Sequence, residues 1–319
     1  MTNHYKNVYI NDKYSLLTST KYTPIVKENV NKYVDDYYMG EKTIEQAESK
    51  YQITTIRKIV ERNKNIDLLI SGDLQNQILS SSMSASRMKL PFLGIYSACS
   101  SFIEGIIIAS SFIKNKKSNI IVSTSSHNLV SEKQFRFPVE YGAVRKKVNT
   151  CTASGSVSIL LSNKKSNIKV ESTTIGKVIQ TNHKDANDMG SAMACACAQT
   201  LITHLKETNR NIDYYDLILT GDLGIYGKKI MCEYFENVTH ESIPNIIDAG
   251  SIFYKDNNNY AGASGPACIA FVLFDYILKL KKYKKILVLG TGSLHSIISC
   301  NQSLAIPGIS HAVSLEVKY

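Results

Sequence analysis

Asn65–Leu74 reads NIDLLISGDL, and Tyr214–Leu223 reads YYDLILTGDL. In each, an apolar run follows an Asp and ends in Gly-Asp, the pattern of a buried strand running into a turn. A helical pattern precedes both, over Ile44–Asn63 in the first case and Ser191–Asn209 in the second. A second pair extends the match: Asn119–Ser125 (NIIVSTS) and Lys285–Thr291 (KILVLGT), each after a helical run that ends in lysines. The chain therefore repeats itself once. Alternating helices and apolar strands in two copies predict an α/β fold of two halves, 1–165 and 166–319, related by a pseudo-twofold axis, with central sheets stacked between helices. No Pro/Gly-rich linker divides them, so one compact unit is expected.

The same register sets Cys99, within LGIYSACSSFIEGIIIAS (Leu93–Ser110), opposite Gly265 in AGASGPAC (Ala261–Cys268). Ser101-x-x-Glu104 is a capping-box pattern, which places Cys99 just ahead of a helix. Free amides and the positive end of the helix dipole would there lower the thiol pKa and favour a thiolate. The alternative is a small thiol packed at a tight strand-to-helix junction.

Composition narrows the classes. With 319 residues and 44% hydrophobic content the chain can bury a substantial core. The opening MTNHYKNVYINDKY has no apolar signal core and no apolar stretch approaches a membrane span, so a soluble protein of the cell interior is expected. Seven irregularly spaced cysteines fit a reducing compartment rather than a disulfide framework. Cys195-Ala-Cys197, in a helical run, puts two thiols on different faces, which reads as packing; neither a metal site nor a cofactor is expected. The net charge of +10 gathers in Lys114–Lys117, Arg145–Lys147 and Lys279–Lys285. None of these clusters is interleaved with aromatics or Gly, which argues against nucleic acid and leaves a solvated surface or attraction to an anionic membrane or ligand.

The duplicated halves, the Cys at a helix start and the Gly/Ser/Ala loop opposite it resemble the thiolase fold of thiolases and ketoacyl synthases. More narrowly, GIYSACSS, STSSHNLVSEKQFRFPVEYG (Ser123–Gly142), DMGSAMA (Asp188–Ala194), YDLILTGDLG and IPGISHAV (Ile306–Val313) are similar to the stage V sporulation protein AD family. The resemblance runs from about residue 65 to 316, the first 60 residues matching less well. It implies a binding protein for dipicolinic acid (pyridine-2,6-dicarboxylate), with or without calcium, in its uptake into the developing spore. It also implies membrane channel proteins as partners and a peripheral place on the spore inner membrane. Thiolase-fold proteins pair through the first-half sheet, so a homodimer is expected, with the strand around Ile120–Ser123 as its edge.

Condensing chemistry on this fold needs a His, with a second His or Asn, from the second half to activate the thiolate and stabilise the oxyanion. The loops expected to supply them, Thr220–Leu223 and Ala261–Ala267, contain neither. Cys99 then reads as a relic nucleophile in a non-catalytic site; the alternative is an acyltransferase or thioester hydrolase pairing Cys99 with His127 or His311. A flat dianion needs donors at two carboxylates. The candidates are Cys99 and Ser100 at the helix start, His127 and Asn128 at a strand end, Arg136 and Arg145 in the following loop, and His311. Asp73 and Asp222 read as turn caps that hold ligating groups from behind. His183 and His204 read as solvated.

Overall fold

The structure, a computed structural model, describes residues 1–20, 22–115, 118–135, 145–256 and 260–319. The first repeat comprises β1 (Thr2–His4), β2 (Tyr9–Thr18), β3 (Lys32–Val34), α1 (Ile44–Arg62), β4 (Leu68–Gly72), α2 (Leu79–Met88), β5 (Phe92–Gly94), α3 (Ser101–Asn115), β6 (Ile120–Ser126), α4 (Asn128–Phe135), β7 (Thr150–Thr152) and β8 (Gly155–Ser162). The second comprises β9 (Ile168–Thr174), β10 (Ile179–Gln180), α5 (Met189–Thr208), β11 (Leu217–Thr220), α6 (Gly224–Thr239), β12 (Ile246–Asp248), α7 (Ala249–Phe253), β13 (Gly262–Ser264), α8 (Cys268–Val272), β14 (Lys285–Ser293), α9 (Ile297–Asn301) and β15 (Pro307–Val317).

The repeat read from the sequence is a repeat of topology. Strand order is β2-β8-β6-β4-β5 in the first half and β9-β15-β14-β11-β12 in the second, so each half has the same order with the same senses of pairing. The apolar runs predicted as strands are β4, β6, β11 and β14, each central and each followed at its exit end by one of Asp73, His127, Asp222 and His295. Buried parallel strands carry such continuous apolar runs because both of their faces are covered. The two half-sheets meet where β2 lies antiparallel to β9, over Tyr9↔Lys169 and Ile10↔Ile168.

Helix α3 fills the space between the half-sheets. Its Phe102, Ile103 and Ile106 are wholly buried, and it touches β4 and β6 on one side and β14 and β15 on the other. Each such side chain contributes about 1.5–3 kcal/mol by leaving water. Gly105 permits the approach: a Cβ there would lie 2.6 Å from Val122 Cγ1. The ring of Phe102 meets Phe274 edge to face at 6.2 Å, where α8 runs on through a wider π turn, Leu273–Ile277. From that turn Asp275, fully buried, forms an ion pair with Lys13 of β2, tying the second half to the first.

Two expectations are corrected here. The strand at Ile120–Ser123 is no edge: β6 is buried throughout, between β4 and β8, and the first half ends at β5. His204 is not solvated but wholly buried in α5, its Nε2 2.6 Å from Tyr215 Oη and its Nδ1 2.7 Å from Thr174 Oγ1, and burial lowers its pKa to about 3. Among the described residues no helix is long and apolar enough to cross a membrane.

Candidate functional site

Cys99 sits on a tight turn between β5 and α3. Ala98 before it takes a left-handed backbone (φ 48), a conformation that costs energy for any residue with a Cβ. Ser101 holds the turn: its Oγ donates to Ala98 O at 2.8 Å and accepts from Ser97 N at 2.9 Å. Ser101 is thus spent on the turn and the capping box with Glu104 does not form. Glu104 N instead bonds Ser100 O, while its carboxyl is pushed up in pKa by burial, with Oε2 unpartnered among the described residues.

The turn aims Cys99 across the pseudo-twofold axis at the second half. There the fully buried carboxyl of Asp222 neighbours the thiol. Asp222 accepts from Thr291 Oγ1 at 2.9 Å and from Gly265 N at 3.1 Å. Gly265, the residue the repeat sets opposite Cys99, therefore meets it in space, and its N–H faces the sulfur as well. It has φ 104, and a Cβ there would meet Ser126 Oγ at 2.8 Å, so only glycine fits without displacement.

The electrostatics reverse the expectation for the thiol. Burial, and then the neighbouring Asp222 carboxylate, raise the Cys99 pKa well above its usual value, outweighing the Gly265 amide. The thiol is neutral. Burial likewise lifts Asp222 to about 6, and Asp248, which accepts from Thr220 Oγ1, Leu223 N and Gly224 N, to about 7.

Cys99 lines an enclosed cavity with Leu74, Tyr96, Glu132, Phe135, Met189, Ser264, Ser293 and His295 among its walls. Its free interior, about 30 Å³, admits little more than water. Tyr96, Phe135 and His295 also border an open groove of about 940 Å³, floored by Gln75–Ile78 and walled by Leu294–Ile298. The rings of Phe135 and His295 lie 5.2 Å apart, so this trio forms the partition between groove and cavity.

The other expected site residues are spread around this centre. His127 is wholly buried away from the cavity walls: its Nδ1 accepts from Leu129 N, its Nε2–H donates to Tyr37 O, its ring stacks on Tyr51, and burial lowers its pKa to about 4. It caps α4. Asn128 ties α4 to β7, accepting from Thr152 N at 3.1 Å. Ser100 packs buried between α3 and β14, its Oγ without a partner among the described residues. His311, on β15, accepts from Gly176 N at 3.2 Å and is held neutral by burial, its pKa near 4. Asp73 caps the turn into α2, bonding Gln75 N, Ser81 N and Ser81 Oγ. Arg145 reaches the cavity wall through an ion pair with Glu132 at 2.7 Å. Arg136 lies outside the described residues.

Tyr96, Glu132, Phe135 and His295 were missed. One signal existed for His295: the register that aligns β6 with β14 sets Ser293 opposite His127, so each half carries a His just past the matching strand. Ser293 Oγ lies 3.0 Å from His295 Nδ1.

A Cys on a strained turn at a helix start, facing the second of two like-ordered α/β halves, defines the thiolase class of fold. The solved structures agree. A variant of OleA from Xanthomonas campestris superposes with a TM-score of 0.61 over 98% of this chain and 97% of its own, at 13% identity. The 3-oxoacyl-(acyl carrier protein) synthase III of Pseudomonas aeruginosa gives 0.57 over 98% and 99%, at 9% identity. The model of the stage V sporulation protein AD family matches residues 3–316. Stage V sporulation protein AD of Bacillus subtilis is 36% identical over 295 residues, covering 90% of this chain and 87% of the relative. The chain belongs to the stage V sporulation protein AD family. The match begins at residue 3 and so takes in the N-terminal segment as well.

Proposed function

We propose that the chain binds dipicolinate without transforming it, in the passage of that compound into the developing spore. One observation carries this reading: Cys99 is buried beside the carboxylate of Asp222, and burial and that charge keep the thiol neutral. Acyl transfer needs the opposite, a thiolate and a donor aimed at the carbonyl oxygen. A carboxylate beside the sulfur opposes both.

The cavity and groove suit an aromatic acid once the partition opens. Tyr96, Phe135 and His295 offer flat faces to a ring, and Arg145, paired with Glu132 at the wall, offers a guanidinium. Glu132 and Asp222 would repel a dianion. Protonation of Asp222, whose pKa stands near 6, relieves one of them, and a one-to-one calcium chelate of dipicolinate, carrying no net charge, relieves both. Among the described residues no group of three His, Cys, Asp or Glu side chains is placed to hold a metal, so calcium is assigned to the ligand. Delivery to the spore calls for a peripheral position at its inner membrane beside the channel proteins. Two copies pair through β5, which among the described residues has a strand neighbour on one side only.

Cys99 and His295 line one cavity, and this favours a thioester hydrolase or acyltransferase as the second reading. A calorimetric titration with dipicolinate, its calcium chelate, acetyl-CoA and malonyl-CoA separates the two. Saturable binding of dipicolinate in either form, with no acyl adduct on Cys99, is the expected result; preference for the CoA esters with acylation of Cys99 overturns it.

A further inference from the structure

The register of the strands sorts the surface of the molecule into two ends. Asp73, His127, Asp222 and His295 follow the exits of β4, β6, β11 and β14. At the opposite end lie the starts of those strands and, because β8 and β15 run antiparallel to them, the β8–β9 turn and the residues after β15. Hydrogen bonds join these pieces into one surface. Val317 N bonds Lys284 O, Lys318 N bonds Asn167 O, and Asn11 Nδ2 bonds Lys164 O.

This strand-entry face concentrates the positive charge. Lys164 and Lys165 are exposed in the β8–β9 turn, Lys281, Lys282 and Lys284 on the approach to β14, and Lys318 after β15. Most carboxylates among them are occupied: Glu171 by Lys285 and Arg210, Glu316 by Lys285 and Lys318, Asp216 by the amides of Lys284 and Lys285, Asp67 by the amide of Asn119, while Asp213, exposed ahead of β11, offsets one charge of the field. Leu280, 47% exposed, and Tyr319, 50% exposed, stand in the same surface as apolar points within a basic field. Together they match an anionic bilayer, whose headgroups take the lysines while Leu280 enters the acyl boundary.

We propose that the strand-entry face is a docking surface for anionic phospholipid, and that in this pose the groove beside Tyr96 and His295 opens away from the bilayer. The proposal deepens the membrane placement given above and rests on it only for its setting. Partners that share the ligand must then approach over the top of the protein rather than from beneath it.

Cosedimentation with vesicles of phosphatidylglycerol and phosphatidylcholine, against phosphatidylcholine alone, tests it at low and high salt. Expected are binding to the anionic vesicles only, release by salt, and at least a tenfold weaker partition for K281Q/K282Q/K284Q/K318Q, since each well-placed lysine contributes roughly a factor of five at such a surface. A control of equal charge change on other surfaces, K133Q/K177Q/K184Q/K229Q, should lose less than threefold. Equal loss in both variants, equal binding to neutral vesicles, or tighter retention by duplex DNA at the same salt overturns the proposal. Dipicolinate titration of the same two variants should match wild type, so failure of the face and failure of the ligand reading are read separately.

Discussion

The Cys99 thiol lies beside the Asp222 carboxylate, across the junction of the two halves. The carboxylate keeps the thiol protonated, and so Asp222→Asn, which removes that charge in nearly the same volume, is expected to lower the thiol pKa. Iodoacetamide labelling of Cys99 at pH 8 should accelerate severalfold over wild type. An unchanged rate would show that burial alone sets the state of the sulfur.

Ligand affinity should follow the proton on Asp222. Free dipicolinate is expected to bind more tightly as pH falls through about 6, the folded pKa of that carboxyl. The slope approaches tenfold per pH unit above that point, since binding then requires uptake of one proton. Titrations at pH 5.5, 6.5 and 7.5 measure it. Asp222→Asn should flatten the profile, and the calcium chelate should show the weaker dependence.

Stability carries a pH signature of the opposite sign from ordinary salt-bridged carboxylates. Burial raises Asp248 to about 7 and Glu48, hydrogen-bonded to Gln75 and Ser125, to about 8. Groups whose folded pKa exceeds the unfolded one stabilise the protein at low pH and lose that contribution as pH rises through the folded value. The buried histidines His127, His204 and His311, with lowered pKa values, act the other way, but only below about 6.5. Between pH 6.5 and 8.5 the carboxyls dominate, joined toward the upper end by the buried thiols Cys99, Cys197 and Cys268 acting in the same direction, and stability should fall by on the order of 2 kcal/mol. Urea midpoints across this window check it, and Glu48→Gln should remove part of the fall.

Gly265→Ala forces a side chain into φ 104 and against Ser126 and Thr152. A loss of about 1–3 kcal/mol is expected, together with displacement of the amide that holds Asp222. Thermal melts give the first; faster alkylation of Cys99 gives the second.

Among the described residues the first half-sheet ends at β5, where Leu93 is 39% exposed. Leu93→Lys should convert a homodimer to a monomer in light scattering at micromolar concentration, because a charge on an edge strand opposes pairing. A wild-type monomer at that concentration would contradict the pairing itself.

The elements that were legible in the sequence are those whose burial is continuous along the chain. Leu68–Gly72 and Leu217–Thr220 are apolar runs because both faces of a central strand are covered, and the Gly-Asp that ends each marks the turn. The cavity was not legible in the same way. Tyr96, Phe135 and His295 come from three separate loops and element ends, and nothing in local periodicity links residues so distant in the chain. The sign of the Cys99 shift was lost for a related reason: the helix start is visible nearby in sequence, whereas Asp222 arrives from the other half. His204 reads as solvated beside Lys206 and Glu207, yet it faces Tyr215, which lies beyond the end of its helix.

The sandwiching of α3 between the two half-sheets bears on how the protein is made. When the first half has left the ribosome, Phe102, Ile103 and Ile106 have one wall and lack the other, which β14 and β15 supply. That wall is completed only when Pro307–Val317 is synthesised, because β15 joins β9 to β14 at the middle of the second half-sheet. Through most of translation, an oily helix waits for strands not yet made, and in that interval the nascent chain is most open to aggregation and most in need of a chaperone.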